Sequence, residues 1–309
     1  VYGRYGTQSA AGPDAYNSVE SLEKTMKRVL AVHAKYATYR KYLAAKRGKP
    51  KVYKTAMEMP GLEVERKEKY QLLTERTNCI HCHNIHDAEN NQLQLSGKWS
   101  NEMLWRYPLP DNIGLKIDPK DGLKISGVVP GSPAAKAGLK AGQSIGYINN
   151  QLIFSIADIQ WVLHNLPNTA TPISIHTWTS KRKHTLTTQA GWKKTDVSWR
   201  GSMWDVKPRL RVYMPKAKPQ ELKKLKLPAG QHALRVQWIN NNSPEGLAAQ
   251  KAGLRHGDFI VALAGKPFDE TISHRTFNTH VKLNYKSGQK LALTLLRQGE
   301  RIPLEWPLQ

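Results

Sequence analysis

The spacing of hydrophobic and polar positions changes once along this chain, near residue 110. Upstream, from Asn17 to Gly48, apolar side chains recur at helical intervals and predict one amphipathic helix ended by Gly48 and Pro50. The predicted apolar face consists of Leu22, Met26, Val29, Leu30, His33 and Ala37. Downstream, short β-branched runs alternate with Gly, Pro and Asn, which is typical of strands and tight turns. The pattern predicts an α+β multidomain chain with a mostly helical segment over residues 1–110.

Two stretches of the β-rich part match each other. The tripeptide Ala137-Gly138-Leu139 recurs as Ala252-Gly253-Leu254, an offset of 115 residues, and Gly142 and Gly257 keep that offset. A repeated domain of about 80 residues is the simplest explanation. The predicted domains are a first copy over 111–190, a connector over 191–230 and a second copy over 231–309.

Each copy has the element order of a small β domain with one long helix. In the first copy a strand follows Ile113-Gly114-Leu115, a short helix ends at Leu139 and a capped helix begins at Ser155. This order resembles the PDZ domain, in the permuted form found in bacterial periplasmic proteases. The resemblance implies that both copies are PDZ-like β-sandwich or barrel domains.

The resemblance also implies a groove in each copy, where an extended peptide adds as a strand and backbone N–H groups capture its terminal carboxylate. The implied contact residues are Ile113, Gly114 and Leu115, facing the helix 155–164, and Ala233 and Leu234, facing the helix 271–280. The other interpretation is that both domains are rigid docking pieces without peptide. No Gly-x-Ser-x-Gly motif and no Ser/His/Asp set is present, so we expect a binding protein or electron carrier rather than an enzyme.

The only two cysteines of the chain lie in the sequence Cys79-Ile80-His81-Cys82-His83. Cys-x-x-Cys-His is the attachment sequence of c-type haem, in which the two thiols bind one porphyrin edge and the histidine supplies the proximal imidazole. We therefore predict one haem c, held covalently by Cys79 and Cys82 with His83 as iron ligand. The segment over 1–110 would then be cytochrome-c-like.

Several features of this site stay open. His33 and Met103 are the first candidates for the sixth iron ligand, because imidazole and thioether are the usual partners of haem iron. Met57 and Met59 are further candidates. Zinc is an alternative to haem, and a thioredoxin-type dithiol is another. The zinc ligands would be Cys79, Cys82 and two of His81, His83 and His86.

The combination of the cysteine motif, a Trp-containing connector and two repeats is similar to haem-motif PDZ proteins of environmental bacteria such as planctomycetes. In those proteins a thioredoxin-like domain often precedes the motif, which implies that residues 1–12 are the tail of such a domain. Covalent haem is attached outside the cytoplasm in bacteria, so the expected location is periplasmic or otherwise extracytoplasmic. The expected function is that of a monohaem cytochrome with tandem PDZ domains, which transfers electrons or docks within a larger assembly. The alternative is a non-catalytic PDZ scaffold whose cysteine motif is structural, thiol-redox or binds another metal.

Charge narrows the choice of partners. The chain has 47 Lys and Arg against 24 Asp and Glu, a formal net charge of +23. The segment 181–230 alone holds fourteen basic and three acidic residues, together with Trp192, Trp199 and Trp204, which we expect to be buried. An acidic or redox-active protein partner, steered by charge, is therefore predicted. No nucleic-acid-binding signature is present and no apolar run approaches the ~20 residues of a membrane span, so neither nucleic acid nor a transmembrane segment is expected.

Overall fold

The computed structural model describes residues 15–16, 18–48, 52–62, 80, 82–194 and 206–309, and for Cys82 and His83 the backbone only. The chain divides into two compact units. The first consists of Val1–Val52 and Glu102–Trp199, and the second of Tyr53–Asn101 and Arg200–Gln309. The segment 1–110, predicted as one helical domain, is thus shared between the two units. Within the described ranges, no helix is both long and apolar enough to cross a bilayer.

The first unit begins with a helical hairpin. Helix α1 spans Val19–His33 and helix α2 spans Tyr36–Leu43, so the single helix expected from the sequence is broken at residues 34–35. Ser18 begins α1 as its cap, because its hydroxyl oxygen accepts the backbone N–H of Ser21 at 3.0 Å. A 3-10 turn at Ala44–Lys46 follows α2.

Helix α1 packs through its polar side. Ser21 and Thr25 are buried, whereas Met26 is 58% and Leu30 67% exposed. The reason is that α1 lies on loops whose carbonyl oxygens need donors: the Arg28 guanidinium donates to the carbonyls of Asp121 and Phe154 and pairs with the Asp121 carboxylate. The apolar face predicted for this helix is real, but it points to solvent.

The β part of the first unit, residues 110–194, is called the first module. Its strands are β1 (Leu115–Ile117), β2 (Ile125–Val128), β3 (Ile145–Ile148), β4 (Gln151–Leu152), β5 (Pro172–Thr177) and β6 (Lys183–Thr187). Its helices are α4 (Pro133–Lys136) and α5 (Ile156–Asn165). Strands β1 and β2 form an antiparallel pair, and the others form a sheet in the order β4-β3-β5-β6. The core between them contains Ile113, Leu115 and Trp192, the last buried as predicted; Trp199 and Trp204 lie outside the described residues.

Residues 206–309 are called the second module. Its strands are β7 (Val212–Tyr213), β8 (Leu234–Arg235), β9 (Trp238–Ile239), β10 (Phe259–Leu263), β11 (Lys266–Pro267), β12 (Lys290–Arg297) and β13 (Glu300–Pro307). Its helices are α6 (Pro219–Leu225), α7 (Pro244–Lys251) and α8 (His274–Asn284). Strands β7 and β9 pair, and a sheet runs β11-β10-β12-β13 with β8 also on β10. Leu210, Val212 and Met214 belong to its core, so the module includes residues assigned by sequence to the connector.

A buried ion pair stabilises the turn at Gly257 in the second module, which corresponds to the turn at Gly142 in the first. Asp258 is 2% exposed and its carboxylate accepts two bonds from the Arg297 guanidinium, at 2.7 and 2.8 Å. The same carboxylate accepts the backbone N–H of Arg255. In the first module Gln143 takes this place, and its side-chain oxygen accepts the N–H of Lys140 at 2.9 Å.

The second unit also contains a separate helix, α3 (Cys82–Leu95), which begins inside the cysteine motif. The sequence of residues 84–110, which is polar and then rich in Trp and Pro, predicts irregular structure, and α3 differs from that prediction. The inner side of α3 packs in a small apolar cluster in which Met59, Leu62 and Ala88 are buried. The charged sequence of residues 50–78 predicts a turn and a second helix that runs into the motif. Residues 52–62 contain a 3-10 helix at Ala56–Glu58, and residues 63–79 lie outside the described residues.

Candidate functional site

The loop expected to hold a peptide carboxylate in the first module has the geometry of a tight turn. Ile113 and Leu115 are fully buried, and Gly114 between them has a φ of +85°. A Cβ at Gly114 would lie 2.1 Å from the hydroxyl of Ser132, so no other residue fits without movement. The Gly114 carbonyl accepts the N–H of Val129 at 2.9 Å, which ties the loop to the end of β2.

Helix α5 faces this loop and is well anchored at its start. Ser155 and Asp158 form a capping box, as the sequence predicted. The Asp158 carboxylate also pairs with the ammonium of Lys46 at 2.6 Å. Burial lowers the pKa of Lys46, and the attraction of Asp158 acts in the opposite direction.

The first groove is covered by the chain that precedes it. Gln160, on α5, donates from its amide to the Tyr107 carbonyl at 2.9 Å. The Tyr107 N–H donates to Nδ1 of His164 at 3.4 Å, and the rings of Tyr107 and His164 are 4.3 Å apart. The Tyr107 ring also stacks on Trp161. Gln160 is consequently buried, at 5% exposure.

Strand pairing shows which residues of the second module correspond to this loop. Val212 pairs with Ile239 on β9 as Leu115 pairs with Val128 on β2. The Arg211 carbonyl accepts the N–H of Asn240 at 3.0 Å, as that of Gly114 accepts the N–H of Val129. Arg211 also has a left-handed φ, +50°. Residues 210–212 therefore occupy the positions of residues 113–115.

The sequence-based assignment of Ala233 and Leu234 to the second groove differs from this arrangement. Both side chains are fully buried. Leu234 pairs with Ile260 in the interior of the module, and Ala233 packs in a cluster with Val261 and Leu296. Neither residue belongs to the loop or strand that corresponds to residues 113–115.

An open groove lies beside β7 in the second module. Its cavity has a volume of about 360 Å³ and runs between the loop before β7 and helix α8. The lining residues are Arg209, Leu210, Arg211, Val212, Tyr213, Trp238, His274, Asn278 and Lys282. The helix contributes residues at four-residue intervals, which share one face. Asn278 and Lys282 follow the cap residue Ser273 of α8 at the same distances in sequence as Gln160 and His164 follow the cap residue Ser155 of α5.

Among the described residues, the charged side chains that line the groove are Arg209, Arg211 and Lys282. Burial, together with the positive charges of Lys282 and Arg275, lowers the pKa of His274 to about 4, so this imidazole is neutral at pH 7. Nδ1 of His274 accepts the N–H of Met214 at 3.2 Å, which places the ring proton on Nε2.

The structure describes only some of the residues predicted to bind haem. Cys82 and His83 form the first turn of α3, while Cys79 and His81 lie outside the described residues. Among the side chains that the structure describes, no three His, Cys, Asp or Glu are grouped as metal ligands, and the side chains of the motif are not among them. Nδ1 of His86 lies 3.3 Å from the Glu89 carboxylate.

The candidate sixth ligands belong to different units. His33 ends α1 and Met103 lies in the 3-10 turn at Asn101–Leu104, both in the first unit. Met57 and Met59 are in the unit that contains the motif. They pack in one apolar cluster with Ile80 and Ile85, on either side of Cys82 in the sequence.

The comparison with family models concerns the first module. Residues 124–175 match the model of the PDZ domain family. A crystal structure of the HtrA3 PDZ domain bound to a phage-derived ligand is 19% identical over 32% of this chain and 83% of its own, with a TM-score of 0.25. The HtrA-type protease AlgW with a tripeptide is 21% identical over 31% of this chain, with a TM-score of 0.26. With a decapeptide, AlgW is 15% identical over 47%, with a TM-score of 0.25.

The match to AlgW spans only 29% and 51% of the two protease chains. No curated protein matches the sequence. The family match covers β2, α4, β3, β4, α5 and part of β5, and it does not include the loop 113–115 or β1. Residues 124–175 of this chain form a PDZ domain.

Proposed function

We propose that this chain is a peptide-binding scaffold, in which the second module is a second PDZ-like domain that binds the C-terminus of an extended peptide. The observation that carries the proposal is the groove of about 360 Å³ between β7 and α8. In strand register and in position relative to the helix cap, this groove corresponds to the first groove, which lies beside the PDZ domain of the first module.

The backbone of β7 offers an edge for strand addition. The carbonyls of Arg211 and Tyr213 accept N–H groups from Asn240 and Gln237, on the β9 side. Backbone groups alternate along a strand, so the N–H and C=O of Val212 face the opposite side, toward α8. In the described part of the chain β7 pairs with β9 alone, and a peptide can add as the next strand.

The first groove is a poorer peptide-binding site than the second, because Tyr107 covers it. A peptide entering it must displace Tyr107 from Gln160 and His164, and the hydrogen bonds and ring contact that are lost oppose binding. We therefore assign peptide binding to the second module and a closed, structural role to the first groove.

Fluorescence anisotropy with the full chain tests the proposal. The probe is a fluorescein-labelled decapeptide pool with randomised last four residues, made once with a free C-terminal carboxylate and once with a C-terminal amide. We expect the free acid to bind and the amide to bind far more weakly. Asn278→Trp fills the groove and should abolish binding, whereas Arg275→Trp, an exposed substitution on the same helix, should not. Equal binding of acid and amide, or unchanged binding by Asn278→Trp, would refute the assignment.

We also propose that the cysteine motif holds one haem c, with Cys79 and Cys82 as covalent attachment points and His83 as iron ligand. The support is the spacing of the motif and the apolar cluster on α3, since a haem plane needs an apolar surface to pack against. Haem would supply one-electron transfer. The chain would then work outside the cytoplasm with an acidic redox partner, steered by its positive charge.

A visible spectrum and an intact mass test the haem proposal, using chain produced in cells with a haem-attachment system. We expect α and β bands after dithionite reduction and a mass increased by one haem. Cys79→Ser combined with Cys82→Ser should lose covalent attachment. An unmodified mass without haem bands would favour the zinc or dithiol alternatives, which metal analysis and thiol titration then separate.

A further inference from the structure

One face of helix α1 exposes a row of aliphatic side chains, which we call the α1 stripe. The stripe consists of Val19, Leu22, Met26, Val29 and Leu30, each between 37% and 82% exposed. Successive members are three or four residues apart, so they share one face of the helix. A single exposed apolar side chain needs no explanation, whereas a contiguous row of five marks an interaction surface.

The opposite side of α1 is fixed to the first module, so the helix cannot turn to bury the stripe. The Thr25 hydroxyl donates to the Phe154 carbonyl at 3.2 Å. The Arg28 guanidinium donates to the carbonyls of Asp121 and Phe154 and pairs with the Asp121 carboxylate at 2.9 Å. Rotation of α1 would break these bonds and leave partly buried carbonyl oxygens without donors, at a cost in free energy. The stripe is therefore held outward.

Helix α2 adds positive charge beside the stripe. Its inner side packs on the sheet of the first module, where the Tyr42 ring lies 5.1 Å from the ring of Tyr147. Only residues 34–35 separate α2 from α1, so its outer side directly follows the stripe. The exposed cations of this outer side and of the turn after it are Lys35, Arg40, Lys41 and Arg47.

The charges of this helical hairpin do not cancel. Residues 19–48 hold eight Lys and Arg but only two acidic residues, Glu20 and Glu23. Glu23 pairs with Lys27 at 2.6 Å. The carboxylates of the first module pair with Lys24, Arg28 and Lys46. Among the side chains that the structure describes, no carboxylate pairs with the exposed cations Lys35, Arg40 and Arg47.

An aliphatic stripe beside exposed cations is complementary to an anionic bilayer surface. An interfacial helix places its apolar side chains at the acyl boundary and its cations near the headgroups, and both contribute to binding. Tyr36, 51% exposed, follows the stripe and suits the headgroup level. The stripe itself contains no Trp, Tyr or Arg, the residues that usually anchor protein interfaces, which favours lipid over a protein partner.

We propose that the α1 stripe and the cations of α2 bind this chain to an anionic lipid surface. The proposal is independent of peptide binding and of haem, because its residues lie outside the second groove and the cysteine motif. Each Lys or Arg near an anionic membrane contributes about a fivefold gain in affinity. Loss of two such cations should therefore weaken binding by roughly tenfold or more.

Co-sedimentation of the full chain with lipid vesicles tests the proposal. One set of vesicles contains phosphatidylcholine alone, and the other contains equal parts of phosphatidylcholine and phosphatidylglycerol. We expect binding to the anionic vesicles, weakened as salt rises, and little binding to the neutral ones.

Two pairs of variants separate the stripe and its cations from the rest of the surface. Met26→Glu combined with Leu30→Glu should abolish binding and keep α1, because glutamate is a good helix former. Its control, Val52→Glu combined with Leu95→Glu, changes two exposed apolar side chains outside α1 and should bind normally.

The second pair of variants removes charge. Lys35→Gln combined with Arg40→Gln should weaken binding by roughly tenfold or more. Its control, Lys266→Gln combined with Arg301→Gln, removes the same charge from exposed positions of the second module and should weaken binding by less than about threefold.

Three results would overturn the proposal. The first is no binding to anionic vesicles, or equal binding by the parent chain and the Met26→Glu, Leu30→Glu variant. The second is equal weakening by both charge variants, which would show a non-specific attraction. The third is a dimer in analytical ultracentrifugation that the stripe variant loses, without vesicle binding, which would assign the stripe to a second copy of this chain.

Discussion

Replacing Tyr107 with proline should open the first groove. The change removes the N–H that Nδ1 of His164 accepts and the ring that lies 4.3 Å from the His164 ring. It also forbids the φ of +52° at residue 107, since proline is fixed near −65°. One hydrogen bond of about 1 kcal/mol, a ring contact of about 1 kcal/mol and a conformational penalty of at least about 1 kcal/mol sum to at least roughly 3 kcal/mol.

A loss of roughly 3 kcal/mol corresponds to a change of about a hundredfold in the equilibrium between covered and open groove. The assay is isothermal titration of the decapeptide pool in the Asn278→Trp background, in which the second groove is filled. We expect no binding with Tyr107 present and binding with Tyr107→Pro, while Tyr107→Phe keeps the ring and stays closed. If Tyr107→Pro binds no peptide although circular dichroism shows a folded chain, the contact of Tyr107 with α5 is not what closes the groove.

Four further results are expected. Asp258→Asn should lower the free energy of unfolding of the second module by about 3 kcal/mol in urea titrations, because Arg297 loses its buried partner; a loss under 1 kcal/mol would contradict this. The pKa of His274 falls from 6.5 to about 4 on folding, so folding favours the neutral imidazole. This preference contributes about 3 kcal/mol to the free energy of unfolding above pH 6.5, and the contribution is lost as the pH falls toward 4. Urea titrations of His274→Asn should lack that part of the pH dependence. Met26→Gln should change stability by less than about 0.5 kcal/mol, because this apolar side chain is exposed; a larger loss would show that it is covered. Cys79→Ser combined with Cys82→Ser should leave the chain without covalent haem in mass spectra.

The β modules could be predicted from the sequence because their signals are local. Short β-branched runs, the Gly turns and the Ser155 capping box all agree with the strands and helices observed. The buried faces of strands follow from alternation, which is fixed by the pleat. Local rules and global packing point to the same structure there.

Helix α1 shows where periodicity alone is insufficient. Its apolar residues do share one face, but Ser21 and Thr25 are the buried ones. The helix docks on loop carbonyls that require hydrogen-bond donors, and no hydrophobic pattern reports such carbonyls. Helix α3 was not predicted because its sequence is rich in Asn and His, which have modest helix propensity.

The sequence-based position of the second groove differs from its position in the structure because the two copies are not separated by one constant offset. The Ala-Gly-Leu tripeptides differ by 115 residues, but the strand partners Val128 and Ile239 differ by 111 and Leu115 and Val212 by 97. The change between the last two comes from the additional helix α6 between β7 and β8. The usable signal was the run Arg209-Leu210-Arg211-Val212, whose apolar positions match those of Asn112-Ile113-Gly114-Leu115.

Photo-cross-linking locates the bound peptide and tests the central claim most directly. A decapeptide with a benzophenone amino acid near its free C-terminus is bound to the full chain, irradiated and mapped by mass spectrometry. Peptide binding in the second module predicts cross-links to residues 209–213 and 274–282. Cross-links confined to residues 107–117 and 156–164, or spread over the surface, would contradict it.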